Sequence, residues 1–168
     1  MREFAERTRV SVERTQAEIG AILKKYGAQD VGYGSRQGDT IGFVEFSLGG
    51  YPIRIEVPEP DRQAFKTVVV RVKGRQHQRD RSPAQRQASF EQARRERWRA
   101  LLLMLKARLV LAAMCKQTPD RAFVAELVLP NNELVGASVL AKLEAEGGKN
   151  ALRLLAHQGG GRGHRGEA

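Results

Sequence analysis

Residues 82–115, SPAQRQASFEQARRERWRALLLMLKARLVLAAMC, predict one long α-helix. Ser82 followed by Pro83 is a strong start signal, because Ser caps helix N-termini and Pro is favoured at the first helical position. No Gly or Pro follows until Pro119, so the helix is expected to continue to Cys115. Its large apolar residues recur every three or four positions and form one stripe, which predicts the core helix of the domain. The stripe contains Phe90, Ala93, Trp98, Leu101, Leu102, Leu105, Leu109 and Ala112.

The two halves of this helix differ in character. Between Ala100 and Leu105 it is apolar on every face, which predicts that other elements cover it on all sides. The N-terminal half is rich in Arg. At about 1.5 Å per residue the helix is close to 50 Å long, so the basic half is expected to project beyond the core of so small a domain.

The residues before the long helix predict a short helix and then a meander. Thr15-x-x-Glu18 matches a capping box, and Gly27 supplies a left-handed stop. From Gln29 to Val57 the apolar period changes to two, with turn residues at 36–39 and 48–50, which predicts three antiparallel strands. The third strand places Ile53, Ile55 and Val57 on one face, and Arg54 and Glu56 on the other.

The remaining segments complete an α+β prediction. Thr67–Lys73 is rich in β-branched residues and is a candidate fourth strand of the meander, whereas 74–82 has no apolar residue and is expected to form a basic loop or disordered arm. Thr118-Pro119 and the apolar residues from Leu134 to Leu143 predict a small helical C-terminal part. The domain prediction is therefore a flexible lead-in at 1–11, one domain at 12–157 and a disordered Gly/Arg tail at 158–168.

The basic charge is concentrated in the central third of the chain. The net charge is +10, but residues 1–60 sum to −1, residues 61–116 to +11 and residues 117–168 to 0. Local positive charge favours a polyanionic partner, and nucleic acid is the commonest inside cells. Because the fork of Arg matches phosphate oxygens, ten residues are predicted to contact a nucleic-acid backbone with weak sequence specificity. They are Arg71, Lys73, Arg75, Arg79, Arg81, Arg86, Arg94, Arg95, Arg97 and Arg99.

The sequence favours no enzyme class, cofactor or metal. His77, His157, His164 and the single Cys115 are too scattered for a triad or a zinc site. A metal-dependent nuclease is the most serious enzymatic alternative, because Asp39, Glu45 and Glu56 lie on or beside the proposed strands. Such a site usually has an acidic residue two positions before its Lys, and here Arg71 precedes Lys73. Solvent-facing strand carboxylates explain the acidic residues without a metal.

Several short runs resemble a group of small proteins carried by bacteriophages, prophages and other mobile elements. The similarity covers roughly residues 10–145, and its most specific part is Arg97-Trp98-Arg99-Ala100 with three leucines after it. Other matching runs are Thr15–Ile19, Lys24–Ala28, Pro60-Asp61 and Leu129–Asn132. The resemblance implies a phage or mobile-element protein acting in a bacterial cytoplasm. It assigns no activity and no functional residue.

Together these observations predict a non-enzymatic nucleic-acid-binding protein, with DNA favoured over RNA and with single-stranded DNA handling in replication or recombination as one form. The alternative is an interaction module for an acidic host or phage protein, which would also need an exposed apolar anchor such as Trp98. The long helix could also pair with a second copy. No membrane span is expected, since Lys106 and Arg108 interrupt the longest apolar run. No secretory signal is expected either, because the first residues are charged and lack an apolar region.

Overall fold

The computed structural model describes residues 8–36, 38, 40–72 and 75–145. It has the predicted α+β architecture, in which two helices and a three-stranded antiparallel sheet enclose one hydrophobic core. A two-stranded hairpin forms a second sheet. The elements are α1 (Val12–Lys25), β1 (Gln29–Arg36), β2 (Ile41–Leu48), β3 (Tyr51–Pro58), β4 (Thr67–Val72), β5 (Arg75–Asp80), α2 (Pro83–Met114), α3 (Pro119–Ala122) and α4 (Val135–Ala145).

Helix α1 begins one turn earlier than the predicted capping box. Ser11 is the N-cap, and its hydroxyl accepts a hydrogen bond from the amide of Arg14 at 3.2 Å. Thr15 lies inside the helix, fully buried, and its hydroxyl donates to the Ser11 carbonyl at 3.0 Å. The predicted cap at Thr15 is therefore wrong, because this side chain is packed in the core. The predicted end is confirmed, since Gly27 follows the helix with φ of +87°.

The meander β1–β2–β3 is confirmed in order and in direction. Val44 faces Ile55 across the central pair, and both are buried with the rest of the core face. The opposite face of β3, predicted to be exposed from the alternation of apolar and polar residues, is partly buried. Arg54 is only 6% exposed, because its guanidinium is enclosed by Glu45 and by the loop at Asn132.

The hairpin β4–β5 differs from the prediction in two ways. Thr67–Val72 does form a strand, but it pairs with β5 and with no strand of the meander. Residues 75–80, expected as a loop or disordered arm, are the second strand. The amide of Arg81 donates to the Lys66 carbonyl at 2.9 Å and closes the base of the hairpin. Lys73, at the end of the predicted strand, and Gly74, at the start of the predicted arm, lie outside the described residues.

Helix α2 begins and ends where the sequence predicts. The Ser82 hydroxyl accepts from the Gln85 amide, and the Gln85 side chain accepts from the Ser82 amide, so the start is a complete capping box. Trp98, Leu102 and Leu105 are no more than 2% exposed and pack against α1 and the sheet. The expected cover on all sides of residues 100–105 is wrong, since Leu103 and Met104 are 37% and 40% exposed.

The chain after α2 returns to the edge of the meander. Thr118-Pro119 begins the short α3 as predicted, and a 3-10 turn follows at Val124–Glu126. Leu127 forms a bridge to Ile53 of β3, and the Val128 amide donates to the Pro52 carbonyl, so this segment pairs with the start of that edge. Helix α4 confirms the predicted C-terminal helix. The end of the predicted domain at 146–157, the Gly/Arg tail and most of the lead-in lie outside the described residues. No helix in the described part of the chain has both the length and the apolarity that crossing a bilayer requires.

Candidate nucleic-acid interface

The hairpin presents a cationic strand beside a valine strand. Arg79 pairs with Val68, and His77 pairs with Val70, so these four side chains share one face of the ribbon. Arg75 lies two positions before His77 and therefore projects from the same face of β5. Successive cationic or imidazole groups on this strand are about 7 Å apart along its axis. The face is a narrow positive row with an apolar border.

The other face of the hairpin carries Arg71 among polar groups, and Asp80 lies on this face at the base of the ribbon, opposite Thr67. Arg71 pairs with Gln76, and Gln78 donates from its side-chain amide to the Thr67 hydroxyl at 3.0 Å. Val69 on this face is 63% exposed, and among the described residues the hairpin contributes nothing to the hydrophobic core. Both faces of the ribbon are therefore open to a large ligand.

The three arginines of the hairpin are exposed to solvent. Within the described residues, Arg71, Arg75 and Arg79 make no hydrogen bond or ion pair to another side chain. Their guanidinium donors can therefore be transferred to phosphate oxygens without first breaking a side-chain bond to any of the described residues. We call these three residues the hairpin arginines.

A cationic cleft of about 270 Å³ lies between the 3-10 turn Arg62–Phe65 and the first turns of α2, at the base of the hairpin. Arg62, Lys66 and Arg86 line it, and the first turn of α2 adds the partial positive charge of a helix N-terminus. Arg62 lies 4.0 Å from the centre of the Phe90 ring, and the Nε of Arg86 donates to the Arg81 carbonyl at 2.8 Å. These contacts hold the cleft in shape while Lys66 stays exposed.

Three arginines of α2 form hydrogen bonds with other elements of the domain. Arg94 donates to Glu59 at 2.8 Å, and Arg99 donates to Glu18 at 2.6 Å. Arg97 donates to the carbonyl of Pro58, at the end of β3. We call these three residues the helix arginines. They join residues 94–99 of α2 to α1 and to the end of the sheet, so this part of the basic half is packed against the domain.

Two of the predicted site residues have local roles. The Nη2 of Arg95 donates to the side chain of Gln92 at 2.6 Å, one turn earlier on α2. Arg81 is half-buried at the base of the hairpin. Its backbone amide donates a hydrogen bond to Lys66, and its carbonyl accepts one from Arg86. Lys73 lies outside the described residues. The structure therefore divides the predicted set into an exposed group on the hairpin and a bonded group on and beside α2.

Lys66 and Arg62 belong to this region, but they are not among the ten residues predicted from the sequence. Both precede the valine strand, in a segment whose only recognisable signal is Asp61, which caps the 3-10 turn Arg62–Phe65. The hairpin pairing brings Lys66 next to Arg81, and this proximity depends on a strand that the sequence did not predict. The local charge count was the one signal that could have found them.

The strand carboxylates considered for a nuclease are in ion pairs. Glu45 accepts from the Nε of Arg54 at 2.9 Å, and Glu56 lies 3.6 Å from Arg36. Asp39 lies outside the described residues. Among the residues that the structure describes, no three His, Cys, Asp or Glu side chains converge in a way that could hold a metal ion.

Comparison with known protein families, curated proteins and solved structures finds no match to this chain. A functional proposal for this protein therefore rests on the arrangement of its cations.

Proposed function

We propose that this protein binds nucleic acid without catalysis, through phosphate contacts made by the hairpin arginines and the cleft at their base. The observation that carries the proposal is that Arg71, Arg75 and Arg79 are exposed on a hairpin outside the core, with no side-chain partner among the described residues. The context, a phage or mobile element acting in a bacterial cytoplasm, comes from the sequence resemblance alone.

The chemistry of the hairpin favours backbone contacts over base stacking. Residues 66–81 carry six Lys or Arg and one Asp, and none of them is Phe, Tyr or Trp. Proteins that hold single strands usually stack bases on exposed aromatic rings. Trp98 and Phe90 are buried at 2% and 7% exposure and cannot supply that platform.

The shape of the hairpin favours duplex DNA. A two-stranded ribbon fits the major groove of B-form DNA, whereas the deep, narrow major groove of A-form RNA excludes it. We therefore take duplex DNA as the preferred polymer. The single-stranded DNA handling that the sequence suggested is the competing outcome of the same binding experiment.

The test measures binding of labelled duplex DNA, single-stranded DNA and RNA of one sequence by fluorescence anisotropy. The hairpin variant changes Arg71, Arg75 and Arg79 to Gln, and the matched control changes Arg94, Arg97 and Arg99 to Gln. Both variants lose three positive charges, so a difference between them reports position and not net charge. Loss of three phosphate contacts is expected to weaken duplex binding by on the order of tenfold or more at about 50 mM salt.

The proposal predicts this loss for the hairpin variant and a change below about threefold for the control. Absence of binding to all three polymers at low salt would overturn it. Equal losses in the two variants would show a general charge effect and would also overturn the assignment to the hairpin. The alternative of an acidic protein partner cannot use Trp98 as its apolar anchor, because this side chain is buried.

A further inference from the structure

The second half of α2 carries an apolar row on the face opposite the core. Leu103, Met104, Val110, Leu111 and Met114 are from 37% to 77% exposed. Ala100 and Ala107 are exposed in the same row. Each of these seven residues lies three or four positions from another member of the set, so they form one stripe along the helix axis. We call this stripe the outer row.

The outer row distinguishes this helix from an ordinary surface helix. On the inner face of α2, Leu102, Leu105 and Leu109 are buried in the core. A helix that packs against the protein on one face only is expected to carry polar residues on the opposite face. Lys106 and Arg108 instead lie at the flanks, and Arg108 bonds to Glu126 at 2.5 Å. Contiguous exposed apolar surface of this kind marks an interaction site.

We propose that the outer row pairs with the outer row of a second copy of this chain. The five large side chains expose on the order of 450 Å² of surface, taking roughly 180 Å² for each when fully exposed; this matches the apolar share of a standard interface of about 800 Å² per partner. Self-pairing covers both rows at once, as a two-fold interface requires.

The sizes of the side chains favour an antiparallel pair. In an antiparallel pair centred on Ala107, this residue faces Ala107 of the second helix. Leu103 then faces Leu111, and the small Ala100 faces the large Met114 of the second helix. Each end of the interface then has one large and one small residue, so the helices remain evenly spaced. A parallel pair would place two Met114 side chains together at one end and two Ala100 at the other. The proposal concerns α2 and does not depend on nucleic-acid binding.

Sedimentation velocity on the full chain tests the association at roughly 1 to 100 µM. A monomer–dimer equilibrium is expected within this range. The variant Leu111→Glu with Met114→Glu places charges in the row and is expected to weaken association at least tenfold. The matched control, Val69→Glu with Val124→Glu, changes two exposed valines outside the row and should leave association unchanged. Since all four residues are exposed, far-UV circular dichroism should show that both variants stay folded.

Crosslinking tests the orientation in a Cys115→Ser background. A mixture of the single variants Ala100→Cys and Met114→Cys should form a mixed disulfide dimer, because the two positions face each other in the antiparallel pair. Self-linked Met114→Cys dimers without the mixed species would overturn the orientation. A protein that stays monomeric at the highest concentration, or a control pair that weakens association as much as the row variant, would overturn the proposal itself.

Discussion

The hairpin and the basic half of α2 carry the same kind of charge and use it in opposite ways. The hairpin arginines are exposed and unpartnered among the described residues, whereas the helix arginines bond to Glu59, Glu18 and the Pro58 carbonyl. In sequence the two groups form one basic segment. The comparison shows that a count of cations does not measure the charge available to a ligand.

The difference arises from what lies behind each element. The inner face of α2 is fixed in the core by Trp98, so its neighbouring side chains come within reach of α1 and the end of β3. A two-stranded ribbon has no such support, since in the described part of the chain it contributes no residue to the core. Its side chains meet solvent on both faces, and its arginines form no ion pair with a carboxylate of the described residues.

The largest expected effect comes from removing the anchor of the basic half-helix. Trp98→Ala should lower the free energy of unfolding by about 3–5 kcal/mol, because it leaves a large cavity between α2 and the sheet. Thermal unfolding should then occur roughly 10 °C lower. Val69→Ala in the hairpin, at 63% exposure, is the control and should change stability by less than about 0.5 kcal/mol. A comparable loss in both variants would contradict the contrast between the two regions.

Arg54 is a buried cation outside the basic segment and extends the comparison to the sheet. Arg54→Met should cost about 2 kcal/mol, because Glu45 and Asn132 lose their charged donor. The loss stays moderate because the Glu45 side chain is 39% exposed and can be rehydrated. Urea unfolding measures it, with Arg36→Met as control; that arginine is 32% exposed, and the variant should cost less than about 1 kcal/mol. An equal cost for both would show that burial does not distinguish them.

Substitution of a helix arginine should destabilise the protein more than substitution of a hairpin arginine. For nucleic-acid binding the opposite order is expected. Arg94→Gln and Arg99→Gln should each lower the free energy of unfolding by about 0.5–1 kcal/mol, since each breaks an ion pair that is partly exposed. Arg75→Gln and Arg79→Gln should each stay within about 0.5 kcal/mol of the wild type. Urea midpoints at constant slope measure the four values. A hairpin variant that loses as much as a helix variant would reveal a partner for that arginine.

The smallest expected effect is a pH dependence of stability that arises from Tyr33, which packs against α2. Tyr33 packs edge-to-face against Trp98 and donates to the Gln16 carbonyl at 2.6 Å. Burial raises the pKa of Tyr33 above its ordinary value, and the Gly20 backbone opposes this shift. The unfolded chain therefore ionises first, so this contribution to stability is complete below pH about 10 and decreases as the pH rises through the folded pKa. The stability difference between wild type and Tyr33→Phe should shrink between pH about 9 and 11. A constant difference would show that Tyr33 titrates as it does in the unfolded chain.

The elements predicted correctly are those with strong local signals. The Ser-Pro start and the apolar period define α2, and alternation defines the meander. Strand β5 was missed because Arg75–Asp80 has no apolar residue, and its extended form depends on pairing with the valines of β4. The cap of α1 was misplaced because Thr15 has the better local motif, whereas burial of Thr15 decides the outcome.

The candidate site shows the limit of the same reasoning. The sequence selected Arg71, Arg75 and Arg79, but it gave equal weight to Arg94 and Arg99. Their partners, Glu59 and Glu18, are 35 and 81 positions away in the chain. No local pattern reveals a bond of that kind.

The salt dependence of duplex DNA binding tests the central claim most directly, because each phosphate contact contributes about 0.9 to the slope of log K against log salt. Between about 50 and 200 mM salt, the slope should decrease in magnitude by about two to three units when the hairpin arginines become Gln. The variant of the helix arginines should retain the wild-type slope within about half a unit. A slope that changes in the helix variant and stays constant in the hairpin variant would contradict the assignment of phosphate contacts to the hairpin.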